Sequence, residues 1–336
     1  MATALYYREL FMRFNELNIL VLGDVMIDSY IWGQVERISP EAPVPVVAVK
    51  RRENRLGGAA NVALNLKAMG VNPMLCSVIG MDEKGNTFLE LLQNEHVPVS
   101  GMVRSSTRIT TTKFRVLGNN TQMLRVDEET DSDLDAKETA MLLEKVAEIL
   151  GSGKIHAIIF QDYNKGILTA EVIDKVIAMA RKKDITTAVD PKKKNFSSFR
   201  SVNLFKPNLK ELKEGMKKDL SYYDPEELEE MIREFQQRQN IEHLLATLSE
   251  KGMMISSRVD HGYEVHQVPA HLRKIADVSG AGDTVISIAT ACLALGTNPL
   301  EMTAIANIAG GLVCEQVGVV PVDKEKLLSE VISILS

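Results

Sequence analysis

Short apolar runs, each about one strand long and each closed by a polar residue, alternate with longer amphipathic segments. This alternation restricts the fold more than any other feature of the chain. Residues 18–25 (NILVLGDV), 74–80 (MLCSVIG), 156–162 (HAIIFQD), 185–190 (ITTAVD) and 203–208 (NLFKPN) read as strands. Their nearly continuous apolar character is that of parallel strands covered on both faces. Residues 57–70, 168–183 and 225–240 carry helical periodicity, and 243–256 reads as strand, turn, strand. The order predicts an α/β three-layer sandwich with a mostly parallel central sheet between two layers of helices.

Two segments break the pattern. Residues 42–50 (APVPVVAVK) are rich in Pro and Val, and 110–127 alternate on either side of Leu117-Gly118-Asn119-Asn120, a hairpin signal. They predict a small β-rich lid, built from about residues 28–56 and 105–128, on a single domain spanning 1–336. Residues 128–138 (EETDSDLDAKE) read as a solvated linker entering a helix.

Charge and cysteine content narrow the classes of function. With 39 basic and 45 acidic residues the net charge is -6, which argues against nucleic acid as the main partner. Cys76, Cys292 and Cys314 have no short-spaced pair and sit in apolar surroundings, so neither a disulfide framework nor a zinc site is expected. The N-terminal MATALYYRELFMRFNEL reads as an amphipathic helix, not a signal peptide, and no apolar stretch is long enough to span a bilayer. A cytoplasmic protein with no membrane partner is expected.

Polar residues recur where strands end: Asp24, Asp162, Asp190, Asn208 and Ser249. In open parallel sheets ligands bind at that edge, although such residues also cap helices. Gly151-Ser152-Gly153-Lys154 is not a phosphate-binding loop, because Glu148 replaces the first glycine and Ile155 follows the lysine. The stretch with most chemistry is Asp277–Thr284 (DVSGAGDT), ahead of an apolar helical run. If Gly280, Ala281 and Gly282 open a helix, their unpaired N–H groups form an anion site. Asp283 then lies on the first turn as a general base beside developing negative charge, an arrangement suited to phosphoryl transfer. A helix cap followed by a dipole-favoured acid gives the same spacing.

DVSGAGD resembles the C-terminal signature of the ribokinase-like family of carbohydrate kinases, and Gly57-Gly58-Ala59-Ala60-Asn61 resembles its N-terminal glycine-rich signature. Asn208-Leu209-Lys210-Glu211 resembles its Asn-x-x-Glu motif, and residues 247–252 (TLSEKG) its nucleotide-side turn. Val278 stands where many members carry Thr. Finer matches in GDVMIDSYIWG, RISPEAPVPV, GGAANVALNL, QDYNKG and VDPK resemble the heptose-phosphate branch of the family. That branch phosphorylates D-glycero-D-manno-heptose 7-phosphate at C1 for ADP-heptose and lipopolysaccharide core synthesis. It is often fused to an adenylyltransferase with a His-x-Gly-His motif, absent from this sequence. The chain thus reads as a stand-alone kinase or the kinase part of a longer one.

The resemblance implies roles. Asp283 is the base, and Gly280, Ala281 and Gly282 hold the transferring phosphoryl group. Asn208 and Glu211 organise Mg²⁺, mostly through water. Thr247, Ser249, Gly252 and the helix around Asn307 border ATP. Asp24, Asp28, Gly57, Gly58, Asn61 and Asn65 face the sugar, with Asp190 near it. Arg37, Lys113, Arg125, Lys165 and Lys192 are candidates for the distal phosphate, although any one of them also reads as a solvated surface charge. An apolar lid face at Val44, Val46 and Val47 is expected to pair two copies as a homodimer. Other ribokinase-like kinases, and a non-catalytic sugar sensor, share the fold; a sensor is expected to lose Asp283 or the glycines.

Overall fold

The computed structural model describes residues 3–119, 121–218, 224–271 and 273–336. In chain order the elements are α1 (Ala4–Arg13), β1 (Asn18–Gly23), β2 (Val25–Ile38), β3 (Pro45–Gly58), α2 (Ala59–Ala68), β4 (Asn72–Gly80), α3 (Glu83–Asn94) and β5 (Met102–Ser105). There follow β6 (Thr112–Gly118), β7 (Thr121–Glu128), α4 (Ala136–Ser152), β8 (Ala157–Gln161), α5 (Ala170–Lys182), β9 (Thr186–Asp190), β10 (Leu204–Phe205), α6 (Leu209–Met216) and α7 (Pro225–Gln239). The chain ends with β11 (His243–Thr247), β12 (Met253–Val259), β13 (Gly262–Val268), α8 (Ala281–Ala294), α9 (Pro299–Val313) and α10 (Lys324–Leu335).

Among the described residues the strands form two sheets. The larger has nine strands in the order β13-β12-β11-β10-β9-β8-β1-β4-β5, parallel except for β12 and β13. Alternate strand residues enter different cores, as a sheet covered on both faces requires. Ile19 and Val21 of β1 pack in the core beneath α1, α2 and α8–α10, whereas Leu20 and Leu22 pack in the core beneath α4, α5 and α7. Each of these four side chains is fully buried, which stabilises the sandwich by roughly 1.5–3 kcal/mol per side chain.

The smaller sheet has the order β3-β2-β6-β7, with β2–β3 and β6–β7 antiparallel and β2–β6 parallel. It starts earlier than the sequence pattern indicates, at Val25, and its second strand ends at Gly58, with residues 39–44 connecting the two. In the second segment, Ser105 ends β5 at the edge of the large sheet, and the small sheet resumes only at Thr112. β6 ends at Gly118, paired with Thr121, and the hairpin turn begins at Asn119, which has φ 51°; Asn120 lies outside the described residues. The expected strand at 203–208 shrinks to Leu204–Phe205, because Pro207 has no N–H and Asn208 turns to cap α6. At 128–138 the linker ends in a capping box, with Asp135 and Glu138 satisfying each other's backbone N–H at the start of α4.

Candidate active site

The C-terminal ends of β8, β9 and β10 meet the N-terminus of α8, and the chemistry collects there. Gly280 is the N-cap of α8 in a left-handed conformation (φ 82°, ψ -4°), and no side chain caps the helix. An L-residue would be strained at that φ, and a Cβ would sit 3.1 Å from Asn61 Nδ2. Ala281 N–H already donates to Val278 O at 3.3 Å, so its expected part in holding a phosphoryl group is taken by a neighbour. Among the described residues the N–H groups of Gly280, Gly282 and Asp283 make no backbone hydrogen bond. These three are free donors of the kind that can bind an anion at a helix N-terminus.

Asp283 is 5% exposed. Its Oδ1 accepts from Tyr163 Oη (2.7 Å) and Gln161 Nε2 (3.0 Å), and its Oδ2 from Asn61 Nδ2 (2.7 Å). Burial pushes its pKa up to about 6 and nearby Asp190 adds to the rise, while the donors from Asn61 and Tyr163 and the charge of Lys206 oppose it. The group is an ionised carboxylate at neutral pH with a raised proton affinity, which suits a general base.

Below the helix start lies a buried ion pair, Lys206 Nζ to Asp190 Oδ2 at 3.0 Å. Burial raises the Asp190 pKa, but Lys206 and then Lys192 outweigh it and hold the carboxyl below its ordinary range. Gln161 Nε2 reaches Asp190 Oδ2 (3.3 Å) as well as Asp283, so one amide separates the two carboxylates. Lys192 pairs with Glu211 and stands 3.9 Å from Asp190 Oδ1. Lys192 thus pairs with Glu211 and Asp190 and is not among the cations gathered on Asp127 and Glu129.

Asn208 and Glu211 form a capping box on α6: Asn208 Oδ1 accepts from Glu211 N–H (2.8 Å) and Glu211 Oε2 from Asn208 N–H (2.8 Å). Only Glu211 Oε1 is turned outward, onto Lys192. Thr247 ends β11 beside Asn208, and Ser249 and Gly252 make the tight turn into β12. Asn307 on α9 donates through Nδ2 to Pro269 O (2.8 Å), tying the helix to the segment after β13.

The structure corrects the placement of two sugar-facing residues. Asp24 is fully buried, and its carboxylate accepts from three backbone N–H groups: Tyr163 (2.7 Å), Lys165 (3.1 Å) and Ile167 (3.2 Å). It shapes the loop that carries Tyr163 and has no free face for a hydroxyl. Asn65 is also fully buried; its Oδ1 accepts from Thr284 Oγ1 (2.9 Å) and Val322 N–H (3.1 Å), so it joins α2, α8 and the chain before α10.

Gly57 lies against Asp28, and Gly58 leads into α2, whose first turn carries Asn61. A Cβ on Gly57 would fall 2.5 Å from Asp28 Oδ2, and Gly58 (φ 61°) turns the chain from β3 into α2. Asp28 is paired with Arg115 on the neighbouring strand. Register places Lys113 and Arg115 on the same face as Asp28 and Tyr30, opposite Asp127 and Arg125 on β7. Lys113 contacts Asp127 (2.8 Å) and Glu129 (3.0 Å), Arg125 contacts Asp127 (2.8 Å), and Lys165 contacts Glu129 (2.7 Å). Three of the expected phosphate-side cations thus converge on two carboxylates. Arg37 does not join them. It is exposed near the far end of β2, nine residues beyond Asp28, or roughly 30 Å along a strand.

Sequence reasoning missed Lys206, Gln161, Tyr163 and Arg115. Lys206 had a legible signal, a lone cation closing an apolar strand, which is rarely buried without an anion. Gln161 and Tyr163 stood inside a matched motif but carry no charge to mark them.

A sheet of this topology, with a glycine-opened helix aiming amides and a buried carboxylate at its strand ends, defines a phosphotransferase-type site. The chain belongs to the pfkB family of carbohydrate kinases, which it matches over residues 16–326. Its relatives include the bifunctional protein HldE of Syntrophotalea carbinolica, 39% identical over 315 residues (94% of this chain, 63% of that protein). The protein of the same name from Geobacter sulfurreducens is 36% identical over 309 residues, covering 92% of this chain and 62% of that protein. The chain therefore spans less than two thirds of these relatives' length. Among solved structures, Escherichia coli phosphofructokinase-2 in complex with potassium superposes with TM-score 0.77 at 21% identity, covering 94% of this chain and 99% of that one. Arabidopsis thaliana ribokinase with ribose and ATP gives 0.68 at 15% identity, covering 93% and 98%. These two show the ribokinase-like fold. No helix among the described residues is long and apolar enough to cross a membrane.

Proposed function

We propose that this carbohydrate kinase transfers the γ-phosphoryl group of ATP to the C1 hydroxyl of D-glycero-D-manno-heptose 7-phosphate. The carrying observation is Asp283, buried at the start of α8 beside free amides. The hydroxyl oxygen bonds to the γ-phosphorus as the bond to the β,γ-bridging oxygen breaks. ADP leaves with that electron pair, and the hydroxyl proton goes to Asp283. The amides of Gly280, Gly282 and Asp283 stabilise the charge on the transferring group.

The heptose reading rests on the motif resemblance and on relatives named bifunctional HldE, of which this chain corresponds to the kinase part. The convergent Lys113, Arg125 and Lys165 supply cations for a distal phosphate, with Asp28 and Asn61 accepting and donating to sugar hydroxyls. Thr247, Ser249, Gly252 and α9 border the nucleotide.

The residues present fit magnesium. Asn208, Glu211 and Asp190 are hard oxygen donors, Asp190 Oδ1 is buried without a hydrogen-bond partner, and a cation, the Lys192 ammonium, already stands between the two carboxylates. Among the described residues no group of three or more His, Cys, Asp or Glu could hold a metal ion. When bound, it neutralises charge on the phosphate oxygens.

The small sheet also supports a homodimer. Its face opposite Asp28 carries Phe114, Val116, Leu124 and Val126 in register, and Leu124 and Val126 are 56% and 44% exposed. The test of function is ADP release from Mg·ATP with heptose 7-phosphate, fructose 6-phosphate, ribose or no sugar. Turnover confined to heptose 7-phosphate and lost in Asp283→Asn supports substrate and base together. Turnover with a different sugar sinks the substrate and keeps the base.

A further inference from the structure

The base has more donors around it than a carboxylate needs to stay ionised, and they are unevenly shared. A carboxylate oxygen offers two lone-pair sites. Both sites of Asp283 Oδ1 are taken, by Tyr163 Oη at 2.7 Å and Gln161 Nε2 at 3.0 Å. Oδ2 has a single donor, Asn61 Nδ2, which lies against Gly280 where the free amides begin.

We propose that Tyr163 is a positioning residue for the base: its hydroxyl occupies Oδ1, so that Oδ2 is the oxygen turned to the substrate hydroxyl. This rests on the reading of Asp283 as the base, with whichever sugar is the substrate.

Tyr163 is not placed there by its hydroxyl alone. Its own N–H donates to Asp24 Oδ2, as does that of Lys165. The next residue, Asn164, takes a left-handed turn (φ 56°) and its N–H bonds to Asp162 Oδ1. Asp162 is held in turn by Asn195 Nδ2 (3.0 Å). Two buried carboxylates, Asp24 and Asp162, thus fix the loop on which the phenol sits. Lys192 Nζ lies 5.5 Å from the ring centroid and closes its open side. Burial and the charges of Asp283 and Asp190 hold the phenol well above its ordinary pKa, so it stays a donor at every working pH. The charged groups that face the base are Asp190 at the end of β9, Lys192 just after it and Lys206 after β10; α2 contributes the neutral Asn61, β8 the neutral Gln161, and α8 its own amides.

The test is the pH profile of kcat/KM for Tyr163→Phe, measured on whichever sugar the wild type turns over. Phe keeps the ring and removes one donor to the ionised form, so the acidic limb is expected to move up by about one pH unit. The loss of activity is then greater at pH 6 than at pH 8.5, with KM for ATP unchanged. Replacing Tyr163 with 3-fluorotyrosine makes the hydroxyl a stronger donor without disturbing the packing, and the limb is expected to move down. A limb that stays put in a Phe variant of wild-type melting temperature overturns the proposal. If that variant fails to fold, the fluorotyrosine protein decides, and a limb that fails to move down has the same force.

A second readout needs no turnover. The Asp283 carboxyl is titrated in ligand-free protein by carbon-13 NMR, its signal assigned by its absence in Asp283→Asn. An upward shift in Tyr163→Phe without activity on any sugar keeps Tyr163 in its role and places the failure with the substrate reading. No shift, in a wild type that is active, sinks the Tyr163 role and leaves the kinase reading intact.

Discussion

Asp283 is a residue whose folded-state pKa, about 6, stands above the ordinary 3.8, and the sign of that shift has a consequence for stability. A raised pKa means that the folded state binds the proton more tightly than the unfolded chain. The stabilising contribution is therefore full below pH 3.8 and is lost as pH rises through about 6. At pH 8 the ionised carboxylate is a cost that Asn does not carry. The melting temperature of Asp283→Asn relative to wild type is expected to climb between pH 4 and pH 7, by the equivalent of about 3 kcal/mol, while kcat drops by roughly 10²–10⁴-fold. Differential scanning fluorimetry across pH checks the first, and a flat difference refutes the raised pKa. Lys206 and Asp190 behave oppositely. Both are at most 3% exposed, so Lys206→Met leaves a buried charge unpaired and is expected to cost about 3–5 kcal/mol in urea unfolding, most of which Asp190→Asn restores in the double variant. That Asp283 would lie on the first turn of a helix was legible in the sequence, from three small residues ahead of an acid and an apolar run. Its surroundings were not, because Gln161 and Tyr163 come from the end of β8 and Lys206 from the end of β10, two strand ends that only the parallel sheet brings together.

At the scale of elements, the strands that read as continuous apolar runs were legible because both faces of the large sheet are covered. The long strands β2 and β3, with 14 residues each, were harder. Residues 51–55 (RRENR) look like a solvated loop, yet they are paired along β2, with Arg51, Glu53 and Arg55 on the face of Asp28 and Arg52 and Asn54 on the other. Asp24 was misplaced for a related reason: a polar residue at a strand end can face a ligand or hold the next loop, and sequence does not distinguish them. α6 lets two such uses be separated in one element. Glu211 closes the capping box through Oε2 and meets Lys192 through Oε1. Glu211→Gln keeps an acceptor for the Asn208 N–H and is expected to leave stability within about 0.5 kcal/mol, while Glu211→Ala loses the cap and costs about 1 kcal/mol. Both variants are expected to raise the magnesium concentration needed for half-maximal rate. If Glu211→Gln needs no more magnesium than wild type, Glu211 is a cap and nothing else.

At the scale of the whole molecule, the two sheets differ in how they are covered. The large sheet is covered by helices on both faces, so its central strands carry buried apolar residues on both sides. The small sheet has one charged face, with Asp28, Lys113 and Arg115, and one apolar face whose outer part is open at Leu124 and Val126. Near its base that face is partly occupied, since Lys84 of α3 lies 4.3 Å from the Phe114 ring centroid. An open apolar β face is a liability in solution unless a partner covers it, and a twofold contact would let each copy shield the other with the same residues. The charged face, proposed above to meet the sugar, then stays clear of the contact, which falls on the opposite side. Leu124→Lys with Val126→Glu is expected to convert a dimer into a monomer by sedimentation equilibrium at micromolar concentration. KM for the sugar should rise several-fold, because Asp28 and Arg115 ride on the sheet that loses its support. KM for ATP should hold, because Asn208, Glu211 and Thr247 belong to the large sheet's edge. A monomeric wild type ends the dimer reading outright. A monomeric variant with an unchanged sugar KM ends only the link between assembly and the small sheet's grip on the substrate.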